Sequence, residues 1–287
     1  MPAGLRCYAP PAQSLKPPAA RSGHWKFMKP PRALATDLDG TLIPLPDRPE
    51  NLDALEALRS AREAGGWPLV FVTGRHLELA LDALREHALP RPDALIADVG
   101  TSLNEWDGET WRPSPAYADR LAAVAPPDFF ADLRRRLASD DGLRLQEPEK
   151  QGPFKLSYYC EASRVGELSA RVREAGGDSA SVIASVDPFT GDGLVDAVPA
   201  GASKALALAC WCESEGLSLE EVVFCGDSGN DTAALTAGHR AVLVGNASPA
   251  VRQAVTAAAP ADRLHIAAGH ATSGVLEGCR KFGLLRE

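Results

Sequence analysis

Two carboxylates stand at the end of a short apolar segment. Asp37 and Asp39 follow residues 33–35, which are small or aliphatic. In an extended strand alternate side chains point to the same side, so both carboxylates share one small space. Because each negative charge disfavours ionisation of the other, the pair needs a cation, a shared proton or both. Gly40 comes next and allows the backbone to approach a bound group closely.

Further polar residues follow other predicted strands or open a predicted helix. Thr73 follows one strand, Lys204 opens a helix, and Asp227 and Asp231 follow another strand. The carboxyl ends of parallel strands converge in a doubly wound sheet, so these groups are expected in one crevice. Carboxylates without a cluster of His or Cys favour Mg²⁺.

The same crevice also contains donors suited to a phosphate group. The ammonium of Lys204 and the hydroxyl of Thr73 can donate to phosphate oxygens, as can the backbone amides near Gly40 and Gly74. Since Mg²⁺ commonly acts beside a phosphate, the cation and the phosphate are predicted to share one site.

Alternating strands and helices must position these groups. Strands are predicted near 33–36, 68–72, 94–97, 221–225 and 241–244. Leucines at helical spacing in two of the intervening segments predict helices, and strand–helix–strand alternation indicates right-handed βαβ units and a parallel sheet. The predicted fold is therefore α/β, a doubly wound parallel sheet.

A different pattern interrupts this sheet. A hairpin around Asp107-Gly108 is followed by the order αββαββ, typical of an antiparallel α+β unit. Its helices are predicted near 127–138 and 163–175, and its strands near 143–147, 155–160, 180–187 and 193–198. We predict a core of 31–112 and 200–287, an inserted cap of 113–199, and a disordered, Pro-rich basic extension of 1–30.

Composition and charge exclude several classes of protein. The net charge is −8, and residues 37–287 carry 24 bases against 38 acids, or −14, because residues 1–36 hold six bases and no acid. A body this acidic disfavours nucleic-acid binding. No apolar run is long enough for a membrane span or a secretion signal, and six scattered cysteines indicate free thiols. We therefore predict a cytoplasmic protein and favour a monomer.

Four motifs in order resemble those of the haloacid dehalogenase (HAD) superfamily of phosphatases. They are Asp37-Leu38-Asp39-Gly40-Thr41, Thr73-Gly74-Arg75, Lys204 and Gly226-Asp227-Ser228-Gly229-Asn230-Asp231. The match covers the chain from about residue 33 to its end, and the insert resembles a type C2B cap. The segments 98–101, 154–159 and 274–283 resemble the sucrose-phosphate phosphatase branch.

The resemblance implies a role for each motif. Asp37 attacks phosphorus and forms an aspartyl-phosphate, and Asp39 protonates the leaving oxygen and later deprotonates water. Mg²⁺ is implied to bind Asp37, the backbone carbonyl of Asp39 and Asp227, with Asp231 supporting its water shell. Thr73 and Lys204 are implied to stabilise the transferring group. Asp231 has an alternative role as a helix cap.

The substrate is predicted to be a small-molecule sugar phosphate. The expected substrate-binding residues are Gly40, Gly74, Arg75, Gly100, Thr101, Ser102, Lys155 and Asn230. Arg75 has the alternative of a surface ion pair. Lys155, Tyr158 and Tyr159 alternate on a predicted cap strand, so one face could meet the sugar and the other the core of the cap. Trp106 and Trp111 on the hairpin could stack on a sugar or pack at the hinge of the cap.

One position departs from the pattern of that branch. Ser102 stands where an acidic residue is usual, so a hydroxyl replaces a carboxylate and the preferred sugar can differ. Sucrose-phosphate, mannosylfructose-phosphate, glucosylglycerol-phosphate or another glycosyl phosphate are all compatible. Two other functions stay open: a HAD phosphomutase, which shares the aspartyl-phosphate step, and a non-enzymatic phospho-acceptor signalling domain.

Overall fold

A computed structural model of the chain describes residues 29–187 and 190–285. Nearly all of the predicted extension of residues 1–30 lies outside the described residues. The strands are Ala33–Thr36 (β1), Leu69–Val72 (β2), Ala94–Ala97 (β3), Ser102–Trp106 (β4), Trp111–Pro113 (β5), Arg144–Leu145 (β6), Leu156–Cys160 (β7), Ala180–Val186 (β8), Gly193–Pro199 (β9), Val222–Gly226 (β10), Arg240–Leu243 (β11) and Leu264–Ile266 (β12).

Helices cover the sheets that these strands form. They are Glu50–Gly65 (α1), Leu77–Glu86 (α2), Pro115–Ala122 (α3), Pro127–Leu137 (α4), Val165–Gly176 (α5), Lys204–Ser214 (α6), Thr232–Leu235 (α7), Pro249–Ala258 (α8) and Ala271–Phe282 (α9). Within the described ranges, no helix is long and apolar enough to cross a membrane.

The larger sheet has the order β12-β11-β10-β1-β2-β3-β4-β5. Strands β1, β2, β3, β10 and β11 are parallel, as predicted, and β12, which was not predicted, continues the parallel sheet. Strands β4 and β5 add an antiparallel hairpin at the other edge. Residues of β1, β2 and β3 are buried throughout, because helices cover both faces of the sheet. This is the predicted doubly wound α/β core.

The smaller sheet is antiparallel, with the order β6-β7-β9-β8. Side chains of α4 and α5 pack on one of its faces, where Leu133, Leu168 and Val172 join a cluster with Tyr158 and Val195. The predicted order αββαββ is confirmed, and this sheet with its helices forms the cap.

Helix α3 precedes that order and was not predicted. It is only eight residues long, so it contributes few apolar residues to a periodic pattern. Two of them, Tyr117 and Leu121, are buried in the apolar cluster shared by the core and the cap. The hydroxyl of Tyr117 donates a 2.5 Å hydrogen bond to the carbonyl of Gly100. Helix α3 therefore fixes a turn at the carboxyl end of β3.

The two tryptophans of the hairpin pack together. The ring centroids of Trp106 and Trp111 are 5.5 Å apart in an edge-to-face arrangement, and the guanidinium of Arg91 lies over the Trp106 ring. In the register of β3 and β4, Glu105 pairs with Ala94, so Trp106 lies at the end of β3 opposite its carboxyl end. The sugar-stacking alternative is wrong for this reason.

The predicted free thiols are confirmed for the part of the chain that the structure describes. Cys160, Cys210, Cys212, Cys225 and Cys279 form no disulfide. Cys7 lies outside the described residues.

Candidate active site

Three carboxylates converge where β1 and β10 end. Asp37, Asp227 and Asp231 each place one carboxylate oxygen within 4.8 Å of the other two. They are close because β1 and β10 are adjacent parallel strands, and the amide of Asp37 donates to the carbonyl of Cys225 at 2.9 Å. The sequence therefore grouped these residues correctly, and their predicted chemical roles are taken up under Proposed function.

Lys204 holds this cluster together from the first turn of α6. Its Nζ donates to Oδ1 of Asp37 and to Oδ1 of Asp231, both at 2.7 Å, and to Oδ1 of Asn230 at 2.9 Å. The hydroxyl of Ser203 accepts a bond from the amide of Leu206 and so caps the helix that presents the lysine. All three protons of the buried ammonium are engaged.

The cluster has an excess of buried negative charge. Burial alone would lower the pKa of Lys204, but the nearby Asp231 and Asp37 outweigh burial and raise it. Burial raises the pKa of Asp37 well above its ordinary value, and burial together with the charge of Asp231 raises the pKa of Asp227 to about 6. Three carboxylates face one ammonium, so the donor set fits a divalent cation that is bound by oxygen atoms.

Asp231 caps the turn after β10, as the sequence allowed, whereas its support of the water shell of a metal stays a prediction. Its Oδ2 accepts hydrogen bonds from the amides of Asp227 and Ser228, at 3.2 and 3.1 Å, and from the hydroxyl of Ser228 at 3.0 Å. Its Oδ1 accepts from Lys204. Gly226 permits this approach, since a Cβ there would lie 2.7 Å from Cβ of Asp231. Asp231 thus joins the turn after β10 to the charge cluster.

Asp39 lies outside the cluster and pairs with Arg75. The Nε and Nη2 atoms of Arg75 donate to the two carboxylate oxygens of Asp39, at 2.8 and 2.7 Å. The Asp39 side chain is about half exposed. Arg75 therefore forms the ion pair that was one of its two alternatives, with the predicted proton carrier as its partner, and its contact with substrate stays a prediction. The role of the Asp39 carbonyl as a metal ligand stays a prediction.

Asn246 is a functional candidate that the sequence analysis missed. Its Nδ2 donates to the carbonyl of Gly40 at 2.8 Å, and its Oδ1 accepts from the amide of Ala271 at 2.8 Å. Gly40 has a φ of 72°, and a Cβ there would lie 2.6 Å from Oδ2 of Asp227. The sequence did contain a signal for it. Asn246 follows Gly245 shortly after β11, so it is another polar residue at the carboxyl end of a parallel strand. Asn246 ties the loop after β1 to the start of α9.

Thr73 and Gly74 lie on the neighbouring strand end, after β2. Thr73 is fully buried, and its hydroxyl accepts from the amide of Arg75 at 3.1 Å. A Cβ on Gly74 would lie 3.6 Å from Nδ2 of Asn230, so this glycine adjoins the loop after β10. The predicted phosphate-binding residues therefore lie around the same crevice.

The turn after β3 packs directly against the start of α6. Gly100 has a φ of 96°, and a Cβ there would lie 2.3 Å from the carbonyl carbon of Ser203. The hydroxyl of Thr101 donates to the carbonyl of Asp98 at 3.0 Å, and the hydroxyl of Ser102 accepts from Asn104 at 2.8 Å. Gly100 and Thr101 thus stabilise the turn, and Ser102 opens β4 beside it.

Lys155 joins the cap to the core. Its Nζ lies 2.6 Å from Oδ1 of Asp98, and the two side chains are 6% and 15% exposed. Among the cap tyrosines, Tyr158 faces the cap helices, whereas the hydroxyl of Tyr159 bonds to Glu147 at 2.9 Å. The sequence singled out Lys155 but not its partner Asp98, which follows β3.

Two solved structures share the fold of this chain. The sucrose-phosphatase from Synechocystis in complex with sucrose and phosphate matches with a TM-score of 0.72, 23% identity, and coverage of 88% of this chain and 98% of that one. A haloacid dehalogenase-like hydrolase from Bacillus subtilis matches with a TM-score of 0.63 and 18% identity, over 88% and 93% of the two chains. The fold is that of a HAD-like core with a cap, as predicted.

Sequence relatives narrow the class to a family. A family model for sucrose-6F-phosphate phosphohydrolase matches residues 30–283. The mannosylfructose-phosphate phosphatase of Agrobacterium fabrum is 34% identical over 90% of this chain and 99% of its own length. Sucrose-phosphatase 1 of Nicotiana tabacum is 31% identical over 69% of this chain and 46% of its own length. The chain belongs to the sucrose-6F-phosphate phosphohydrolase family, and the predicted class of phosphoric monoester hydrolase is confirmed.

Proposed function

We propose that this enzyme hydrolyses the phosphate ester of a disaccharide or other glycoside in a Mg²⁺-dependent reaction with an aspartyl-phosphate intermediate. The observation that carries the proposal is the cluster of Asp37, Asp227 and Asp231 around the buried Lys204. The names of the relatives support a sugar phosphate as substrate, and the relative from Agrobacterium is similar over nearly its whole length. We assign selection of the sugar to the cap of residues 113–199.

Asp37 is the proposed nucleophile. Lys204 holds its Oδ1, so the rotamer is fixed and the other oxygen is available to attack phosphorus. A bond forms between that oxygen and phosphorus while the bond from phosphorus to the sugar oxygen breaks. Water then attacks the aspartyl-phosphate, which releases inorganic phosphate and restores the carboxylate.

Asp39 is the proposed proton carrier. It gives a proton to the departing sugar oxygen in the first step and takes one from the attacking water in the second. Arg75 donates one hydrogen bond to each of its oxygens and so orients the carboxylate, and each oxygen keeps a second lone pair that can carry the proton.

Asp37 and Asp227 are the proposed side-chain ligands of Mg²⁺, with the Asp39 carbonyl completing the protein's contribution and Asp231 supporting its water shell. When bound, the cation supplies positive charge that neutralises the phosphoryl oxygens. Lys204 offsets part of the carboxylate charge, and Thr73 and the amides near Gly40 and Gly74 offer donors to the phosphoryl group.

A panel of sugar phosphates with and without Mg²⁺, scored for released phosphate, tests the proposal. Asp37→Asn should abolish turnover while the far-ultraviolet circular dichroism spectrum is kept, because the amide is a poor nucleophile. Asp47→Asn, at an exposed position in the loop before α1, is the control and should behave as the wild type. Appreciable hydrolysis by Asp37→Asn would remove this residue from its role. An isomerised sugar phosphate without free phosphate would favour the phosphomutase.

A further inference from the structure

The cap sheet has one face that its own helices do not cover. Leu156, Tyr158 and Cys160 of β7 point to the helices, so Ser157 points to the opposite side, as does Lys155 just before the strand. Lys155 reaches Asp98 at the carboxyl end of β3, 2.6 Å away. This open face of the cap sheet, which includes Lys155 and Ser157, therefore faces the crevice that contains the proposed catalytic residues.

Asp196 lies on this face, in the middle of β9. It pairs with Ser157 on β7 and with Ile183 on β8, so it occupies the centre of the sheet. Part of its surface is accessible, although burial raises the pKa of its carboxyl group. The charge of Lys155 partly offsets this burial, but no cation among residues 29–187 and 190–285 lies within 4 Å of the Asp196 carboxylate. A carboxylate so placed in the centre of a sheet does not favour stability.

The polar groups around Asp196 are incompletely satisfied. Ser157 is fully buried opposite Asp196, and its hydroxyl lies close enough to lower the pKa of that carboxyl group, although it forms no hydrogen bond of good geometry in the described part of the chain. Lys155 is already engaged by Asp98, so two carboxylates share one ammonium and the group has a net charge of −1. The excess negative charge disfavours an anionic ligand, and the carboxylate oxygens of Asp196 can accept further hydrogen bonds.

We propose that Asp196 is a specificity-determining residue that accepts hydrogen bonds from neighbouring hydroxyls of the sugar unit that carries no phosphate. A carboxylate has two oxygens, so it can accept from two adjacent hydroxyls at once. The site takes a neutral, polyhydroxylated unit and rejects a second phosphate or a carboxylate there.

The inference rests on the proposed function and is tested by substrate preference. The probes are sucrose-6F-phosphate and mannosylfructose-phosphate, each compared with fructose 6-phosphate, which lacks the second sugar. In Asp196→Asn the ratio of kcat/KM for the preferred disaccharide phosphate over fructose 6-phosphate should fall at least about tenfold, mainly through KM, since one charged acceptor is lost. The control Asp192→Asn, at the entrance to β9 beside Arg144, should keep the wild-type ratio.

Thermal unfolding distinguishes a role of Asp196 in specificity from a role in stability. Burial raises the pKa of Asp196, so the Asp196→Asn variant, which is neutral at this position, should unfold at a temperature equal to or above that of the wild type. An unchanged ratio, an equal loss on both substrates, or a wild type that hydrolyses fructose 6-phosphate but neither disaccharide phosphate would overturn the inference alone. Should Asp196→Asn fold poorly, Asp196→Ser takes its place. A wild type that releases no phosphate from any sugar phosphate contradicts the proposed function itself.

Discussion

Two carboxylates separated by one residue have entirely different surroundings in this protein. Asp37 is buried and bonded to Lys204, whereas Asp39 is half exposed and bonded to Arg75. A group that carries protons must reach both substrate and water, and a nucleophile needs a fixed, dry position. The two environments agree with the two proposed roles.

Arg75 offers a prediction at the residue scale. Arg75→Ala removes both bonds that orient Asp39, so protonation of the leaving oxygen should suffer. An alkoxide needs that proton and nitrophenolate does not, so kcat/KM should fall at least about tenfold more for a sugar phosphate than for p-nitrophenyl phosphate. Arg85→Ala on the surface of α2 is the control. Equal losses on the two substrates would show that Arg75 acts on binding of the phosphate instead.

At the scale of elements, the site depends on how closely one turn approaches one helix. Gly100 brings the turn after β3 against the first residues of α6, which carries Lys204. Ser203 caps the same helix, so both interactions fix the ammonium at the centre of the carboxylates.

Replacement of Gly100 by Ala should therefore be costly. The new Cβ would lie 2.3 Å from backbone, so we expect a loss of about 3 kcal/mol or more in unfolding free energy, together with reduced turnover. Gly108→Ala is a matched control, because Gly108 also has a positive φ but no atom within 4 Å of the added Cβ. It should lose only about 1 kcal/mol. Denaturant unfolding of both variants measures the difference, and similar losses would contradict the close approach.

His239, just before β11, gives a pH prediction. It is buried, its Nδ1 lies 3.2 Å from the carbonyl of Leu219, and burial lowers its pKa to about 4. The unfolded chain takes up a proton on His239 below about pH 6.5 while the folded chain stays neutral, so its contribution to stability is lost as pH falls towards 4.

Between pH 7.5 and 5 this protonation should cost the wild type about 2 kcal/mol relative to His239→Asn, which cannot titrate. Denaturant unfolding of both proteins at the two pH values measures the change. His87→Gln, at the end of α2, is the control and should keep the pH dependence of the wild type. A difference between wild type and His239→Asn that is independent of pH would show that His239 does not titrate as proposed.

At the scale of the whole molecule, the buried negative charge of the cluster couples stability to the cation. Mg²⁺ that binds only the folded state should raise the unfolding free energy, by about 2.7 kcal/mol at one hundred times its dissociation constant. Thermal unfolding with Mg²⁺ and with EDTA measures the shift.

Asp227→Asn should remove most of that shift. Because burial and Asp231 raise the pKa of Asp227, the metal-free variant should be at least as stable as the metal-free wild type. Asp47→Asn should keep the full response to Mg²⁺. Equal stabilisation of Asp227→Asn and the wild type would exclude Asp227 as a ligand.

Much of the architecture was predictable because residues close together in the sequence show the hydrophobic pattern of each strand or helix. Buried strands appear as short apolar runs, α1 and α2 as leucines at helical spacing, and the cap as a change from βαβ to αββαββ. Short elements such as α3, and the strand β12, were missed, since few residues carry their periodicity. The grouping of Asp37, Lys204, Asp227 and Asp231 was also predictable, because a parallel sheet brings its carboxyl strand ends together.

The sequence by itself thus determined the fold class, the family and the residues around the crevice. Only the tertiary structure decided which side chains bind each other: Arg75 with Asp39, Lys155 with Asp98, and Asn246 with the carbonyl of Gly40. It also placed Asp196 on the open face of the cap. These contacts join residues that are distant in the chain, and they depend on the position of the cap and on side-chain rotamers, which no spacing along the sequence specifies.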